Sequence, residues 1–150
     1  MMTTYDDCIT IEELLQREIN KLPFGDVRPT IYEYPRDVED IDHGVTSRFG
    51  LTKENSPVVE FYTSVIEQLW EDQESFIIKK YSSKDKWIQT IVRHEYRHLE
   101  QYRFIKDHNL NMELIFNETT LCGNKNGLLE RDAYEYENGI VNDLNVIFGI

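Results

Sequence analysis

The chain has 150 residues, of which 40% are hydrophobic, so it is long enough to bury one hydrophobic core, and no Ser/Gly/Pro-rich linker divides it. Its formal net charge of −12, without a dense run of lysine or arginine, argues against binding to nucleic acid. The charge favours basic partners or substrates, and the alternative is that it only keeps the protein soluble. We predict a single cytoplasmic domain over 1–150 that makes no membrane contact, since neither an apolar run of membrane-span length nor a secretory leader is visible.

Two elements are predicted in the first part of the chain. Thr10 and Glu13 have the spacing of a capping box, in which each residue satisfies a backbone amide of the other. A helix is therefore expected at 11–21, before the break at Pro23. Residues 29–34 alternate in character and predict a strand.

The middle of the chain is predicted to be less regular. Charges and glycines at 35–55 favour a long loop, in which His43 is an ordinary surface residue. A serine–proline pair predicts a helix that opens at 56 and ends near 72. The segment 75–80 is expected to form a short strand.

A long helix is predicted at 84–106. Ser83 is a suitable N-cap, and Asp85 places an acid in the first turn, where it suits the helix dipole. No proline or glycine interrupts the segment. One face repeats with the helical period and is formed by Trp87, Ile91, His94, His98, Tyr102 and Ile105.

This face carries the most informative motif of the sequence. His94, Glu95 and His98 spell H-E-x-x-H, in which two histidines one turn apart can bind one zinc ion while the glutamate lies beside the water that the metal activates. The motif is typical of metallohydrolases. The alternative is that both histidines are core residues hydrogen-bonded to their neighbours.

A third ligand has to come from another part of the chain. The metzincin layout is excluded, because the positions for its glycine and its third histidine hold Gln101 and Phe104. A glutamate from a later helix is the other common solution, and Glu130 is our choice, with Glu135 and Glu118 as substitutes. Glu130 borders the apolar stripe of a predicted C-terminal helix, which consists of Leu129, Ala133, Tyr136, Ile140, Leu144 and Ile147.

The motif at 94–98, followed by the Glu-x-x-Ala segment at 130–133, resembles a minimal zinc peptidase of the gluzincin type. The resemblance covers roughly 76–137 and rests on motifs. It implies an α+β, zincin-like domain, with a small sheet whose edge strand precedes the H-E-x-x-H helix and a C-terminal helix that supplies the third ligand. It also implies Zn²⁺ as cofactor, held by His94, His98 and Glu130. The edge strand would be 76–80.

Two residues depart from the family pattern. Arg97 occupies an interior position of the motif that is usually uncharged, and its long side chain is tolerable there if the position faces solvent. Tyr134 replaces an acid that often follows the glutamate ligand. We expect Asp132, or a backbone carbonyl, to orient a ligand histidine through its second nitrogen instead.

The resemblance implies a peptidase whose substrate is a peptide or protein. Glu95 would take a proton from the activated water and pass it to the leaving amine. Tyr134, one turn after Glu130, is a candidate donor to the developing oxyanion. An extended substrate could add to the edge strand at 76–80. The alternative is a catalytically inactive zincin-like module, an acidic decoy that binds a basic protein partner.

Overall fold

The computed structural model describes residues 9–72, 80–81, 83–111 and 127–150. Within these ranges the protein is a mixed α+β structure with a small three-stranded sheet. The described elements, in chain order, are α1 Ile11–Asn20, β1 Thr30–Tyr32, α2 Val38–Asp42, β2 Ser47–Leu51, β3 Pro57–Tyr62, α3 Thr63–Asp72, α4 Lys84–Asp107, α5 Leu128–Glu137 and α6 Leu144–Ile147.

Helix α1 begins as the capping box predicts. The Glu13 amide donates to Thr10 Oγ1 at 3.1 Å, and the Thr10 amide donates to Glu13 Oε1 at 3.0 Å. Two of the amides that every helix leaves without an internal partner are thereby satisfied. The buried face of α1, formed by Ile11, Leu14, Leu15 and Ile19, belongs to the same hydrophobic core as α4.

Strand β3 is the centre of the sheet, whose order is β1-β3-β2. It runs parallel to β1 and antiparallel to β2, with Ser47 opposite Phe61. The predicted helix at 56–72 is therefore wrong in its first part, because β3 occupies Pro57–Tyr62 and α3 begins only at Thr63. The strand contains two valines and two aromatic residues, types that favour a pleated surface, and its proline lies at the first position, where a missing amide is tolerated.

The predicted loop at 35–55 also contains regular structure, namely α2 and β2. Helix α2 is capped by Asp37, whose carboxylate accepts a hydrogen bond from the Glu39 amide. Strand β2 is stabilised by its antiparallel pairing with β3, the next strand along the chain, and the composition of 35–55 alone does not indicate this pairing. The strand predicted at 75–80 lies outside the described residues except for Lys80, which is helical.

Helix α4 is the longest described element, and its predicted N-cap is confirmed. The amide of Lys86 donates to Ser83 Oγ at 3.2 Å. The helix contributes the largest share of the buried core, with Trp87, Ile88, Ile91, Val92, Tyr96, Leu99, Tyr102 and Ile105. It packs against α1, the sheet and α5, and it therefore positions the motif residues relative to all of them.

The C-terminal apolar pattern predicted one helical stripe through 129–147, and this prediction is wrong beyond α5. The chain leaves the helix after Glu137, and Gly139 has a φ of 93°, a value that suits glycine. Ile140 is exposed as a result, and the short α6 forms a separate turn of helix. Among the described residues, no helix has both the length and the apolar character needed to cross a bilayer.

Removal of the α4 cap should weaken the fold measurably. We expect Ser83→Ala to lower the free energy of unfolding by about 1 kcal/mol, because the Lys86 amide loses its acceptor. Ser83→Asp keeps an acceptor at this position and should unfold like the wild type in a urea titration. Equal losses in both variants would show that the cap contributes nothing.

Candidate metal centre

The two motif histidines lie on one face of α4 with their rings nearly perpendicular, at an interplanar angle of 82°. Since they are one helical turn apart, their side chains project in the same direction, and their ring centroids are 5.0 Å from each other. Helix α5 crosses this face and brings Glu130 to it from its first turn. Glu130 Oε1 lies 2.5 Å from His94 Nε2 and 3.5 Å from His98 Nε2.

These three side chains form a group that could hold a metal ion. One ligand atom from each of His94, His98 and Glu130 lies within 4.8 Å of the other two. Tetrahedral zinc with ligands at its usual bond lengths requires donor atoms about 3.3 Å apart. The His98–Glu130 distance meets this requirement, and Glu130 Oε1 would have to withdraw from His94 by about 1 Å. The three side chains could therefore hold a metal ion once the Glu130 carboxylate has moved away from His94.

The second ring nitrogen of each histidine is also held. His94 Nδ1 lies 2.7 Å from Glu137 Oε1, and His98 Nδ1 lies 2.8 Å from Gln101 Oε1. Both acceptors leave Nε2 as the atom that faces the shared point, which is how metal-binding histidines are commonly oriented. The expectation that Asp132 contacts a histidine directly is therefore corrected, because Glu137 and Gln101 take that position.

The carboxylates change the protonation of the site. Burial lowers the pKa of His94, but hydrogen bonds to Glu130 and Glu137 outweigh this effect and raise the pKa to about 10. Burial raises the pKa of Glu130, whereas its interactions with His94 and His98 hold that pKa far below its usual value. In the metal-free chain, a proton on His94 thus occupies the place where a cation would bind.

Glu95 is buried next to the histidines, and a residue that the sequence did not suggest holds it. Ser47 Oγ donates to Glu95 Oε2 at 2.6 Å. Ser47 begins β2, and two residues later the Phe49 ring lies 5.8 Å from the His98 ring. Ser47 was missed because it is 48 residues from Glu95 and was predicted to lie in a loop. The signal that could have found it is the pairing of β2 with β3.

Arg97 does not face solvent, which was the condition under which the sequence tolerates a charge at this position of the motif. Its side chain is buried between α4 and α5, where it donates to both oxygens of Asp132. The rule that long charged side chains reach water fails here because a buried carboxylate is available as partner. Arg97 is thus accommodated inside the motif.

The structure places the remaining predicted residues differently from one another. Tyr134 is exposed, and its hydroxyl accepts a hydrogen bond from Lys80 Nζ at 3.1 Å, so its role as an oxyanion donor stays a prediction. Glu135 accepts a hydrogen bond from the Asn142 side chain and is not part of the group that could hold a metal. Glu118 lies outside the described residues. His43 is exposed, as expected of a surface residue.

The described residues thus define a mixed α+β protein with a candidate metal centre between two helices. No protein-family model matches the chain, and no significant match was found among curated proteins or solved structures. The chemistry of the site is therefore the guide to function, because one fold can host many unrelated functions.

The pKa of His94 predicts a pH dependence for the metal-free protein. A histidine whose pKa is raised on folding stabilises the fold fully below its unfolded pKa of 6.5, and this contribution is lost as the pH rises through about 10. The free energy of unfolding of chelator-treated protein should therefore fall between these two pH values. Urea titrations across the range measure it.

His94→Gln is the matched control for this experiment. The variant cannot take up the proton, so its unfolding free energy should fall less over the same range. Identical slopes for the wild type and His94→Gln would contradict the assigned protonation of the site.

Proposed function

We propose that the protein is a zinc-dependent peptidase in which Glu95 is the general base. The observation that carries this proposal is the convergence of His94, His98 and Glu130 on one point, with Glu95 buried beside the first histidine. The same residues carry the resemblance to gluzincin-type peptidases. We also propose that the chain has a zincin-like fold.

The set of ligands favours zinc in a catalytic role. Two imidazole nitrogens and one carboxylate oxygen are the ligands of several catalytic zinc sites, which use three protein ligands and keep one position open. Structural zinc sites instead use four protein ligands, most of them cysteine. When bound, the ion would activate a water molecule by lowering its pKa toward about 7 and would polarise the substrate carbonyl.

Glu95 is suited to accept and return a proton. Ser47 occupies one carboxylate oxygen, Oε2, so the other oxygen is left to take a proton from the activated water. Glu95 then delivers that proton to the leaving amine of the cleaved peptide bond. Glu95 is buried, and the local dielectric constant is therefore lower than that of water. The hydrogen bonds and charge interactions of its carboxylate are stronger there than they would be in water.

Tyr134 is proposed as a donor to the oxyanion. Lys80 donates to the oxygen of its hydroxyl, which leaves the hydroxyl hydrogen available for another acceptor. A cation next to the hydroxyl makes it a stronger donor, and Lys80 also lies over the Tyr134 ring, 5.2 Å from its centroid.

The formal net charge of −12 favours basic peptide substrates, because they would be attracted to the protein.

The same acidity favours a second candidate function, capture of a basic protein partner without catalysis. In that case the buried histidines and carboxylates would serve structure, and partner binding would not depend on Glu95. The two functions are separated by a substitution that abolishes catalysis and leaves the charge pattern almost unchanged.

Glu95→Gln is that substitution. The purified wild type should contain zinc and cleave a mixed set of basic peptides, and Glu95→Gln should retain zinc while losing at least about 100-fold in kcat, as expected for loss of a general base. Asp107→Asn removes the same charge from the exposed end of α4 and is expected to keep full activity. Mass spectrometry of the products and metal analysis of each protein provide the two measurements.

Three outcomes would contradict the peptidase. They are a wild type that binds no zinc, cleavage that survives in Glu95→Gln, and a zinc-bound wild type that cleaves no peptide. In the last case, tight binding of a basic protein by both the wild type and Glu95→Gln would support the capture function instead.

The hydrogen bond from Ser47 should contribute to the rate. We expect Ser47→Ala to lower kcat about tenfold, since a hydrogen bond to a charged group contributes more than 1 kcal/mol, and to leave zinc content unchanged. Ser47→Thr retains the hydroxyl and should keep most of the activity. A Ser47→Ala enzyme with wild-type kcat would show that Glu95 does not depend on this contact.

A further inference from the structure

Four polar side chains are buried together where α4 meets α5. Their exposed fractions are 3% for Arg97, 4% for His98, 0% for Gln101 and 1% for Asp132. Burial of polar groups is unfavourable unless each is hydrogen-bonded, and apolar side chains of similar volume often give an equally stable interface. Stability alone therefore does not account for this cluster.

The orientation of the Gln101 amide is determined by its surroundings. Its nitrogen, Nε2, lies 2.9 Å from the Leu129 carbonyl oxygen and 2.7 Å from Asp132 Oδ2. A flipped amide would place an oxygen against these two oxygens, with no proton between them. The amide nitrogen must therefore face α5, and the amide oxygen must face His98.

This orientation in turn determines the tautomer of His98. Gln101 Oε1 lies 2.8 Å from His98 Nδ1 and can only accept, so Nδ1 must carry the hydrogen. In the neutral ring the other nitrogen, Nε2, then has a free lone pair. That atom is the one that faces Glu130 Oε1, at 3.5 Å.

Arg97 and Asp132 hold the far end of this arrangement. Arg97 Nε donates to Asp132 Oδ2 at 2.7 Å, and Arg97 Nη2 donates to Oδ1 at 3.2 Å. Two further contacts fix the guanidinium, to Glu100 at 3.0 Å and to the Asn142 carbonyl at 2.7 Å. Asp132 is thereby kept as the acceptor that Gln101 requires.

We propose that Arg97, Asp132 and Gln101 form a support triad of positioning residues, which holds His98 as the Nδ1–H tautomer with Nε2 ready to bind a cation. The triad explains why a charged residue stands inside the H-E-x-x-H motif. It rests on the metal-binding part of the proposed function, and it does not require that the protein cleaves peptides.

Gln101→Met tests the proposal most directly. Methionine has a similar length and leaves the Arg97–Asp132 ion pair in place, but it removes the acceptor of His98 Nδ1. We expect zinc to bind 10- to 100-fold more weakly, the usual effect of losing such a partner, in competition with a chelating indicator. In metal-free protein at alkaline pH, NMR of ¹⁵N-labelled histidine should show pure Nδ1–H at His98 in the wild type and a mixture of tautomers in Gln101→Met.

Arg103→Met is the matched control. Arg103 is also on α4 and links it to another segment, through hydrogen bonds to the carbonyls of Pro23 at 3.0 Å and Phe24 at 2.6 Å. Its loss should lower stability without any change in zinc affinity or in the His98 tautomer. A second variant, Arg97→Met combined with Asp132→Leu, removes both buried charges together, so that neither is left unpaired. Gln101 then loses an acceptor, and His98 should again show mixed tautomers and weaker zinc binding.

The results that overturn the support triad differ from those that overturn the peptidase. An Nε2–H tautomer of His98 in the metal-free wild type refutes the triad without any variant. A folded Gln101→Met protein with wild-type zinc affinity and a pure Nδ1–H tautomer also refutes it, and if that variant does not fold, the double variant is judged by the same two measurements. A wild type that binds zinc and keeps the Nδ1–H tautomer but cleaves no peptide refutes only the peptidase.

Discussion

The packing of α5 against α4 is the contact on which the candidate metal centre depends. Leu129 and Ala133 bury the inner face of α5 in this interface. The same helix supplies Glu130 to the shared point and Glu137 to the second nitrogen of His94. Helix α4 alone would present two histidines and no carboxylate ligand. The centre is therefore a property of the helix pair and not of the motif.

This dependence explains which parts of the site could be predicted from the sequence. His94, Glu95 and His98 are recognisable because their spacing matches the helical period, and Ser83 is recognisable as a cap because capping is local. Glu130 could be chosen because it borders an apolar stripe. For each of these residues the decisive information lies within a few positions along the chain.

The parts that were missed depend on contacts that local composition does not indicate. Strands β2 and β3 were predicted as loop and helix because neither segment alone gave a sign of their pairing, and Ser47 could not be connected to Glu95 because the two residues are 48 positions apart. The burial of Arg97 could not be predicted because its partner, Asp132, lies 35 residues away. The end of α5 was missed because apolar residues continue at helical spacing beyond Gly139, although the chain turns there.

The buried ion pair between Arg97 and Asp132 also constrains how the sequence can vary over evolutionary time. Replacing either residue alone would leave the other charge buried without a partner, which lowers stability far more than replacing both. Descendants of this chain are therefore expected to change the two positions jointly, either retaining both charges or losing both. Such covariation would connect a position inside the motif with one on another helix.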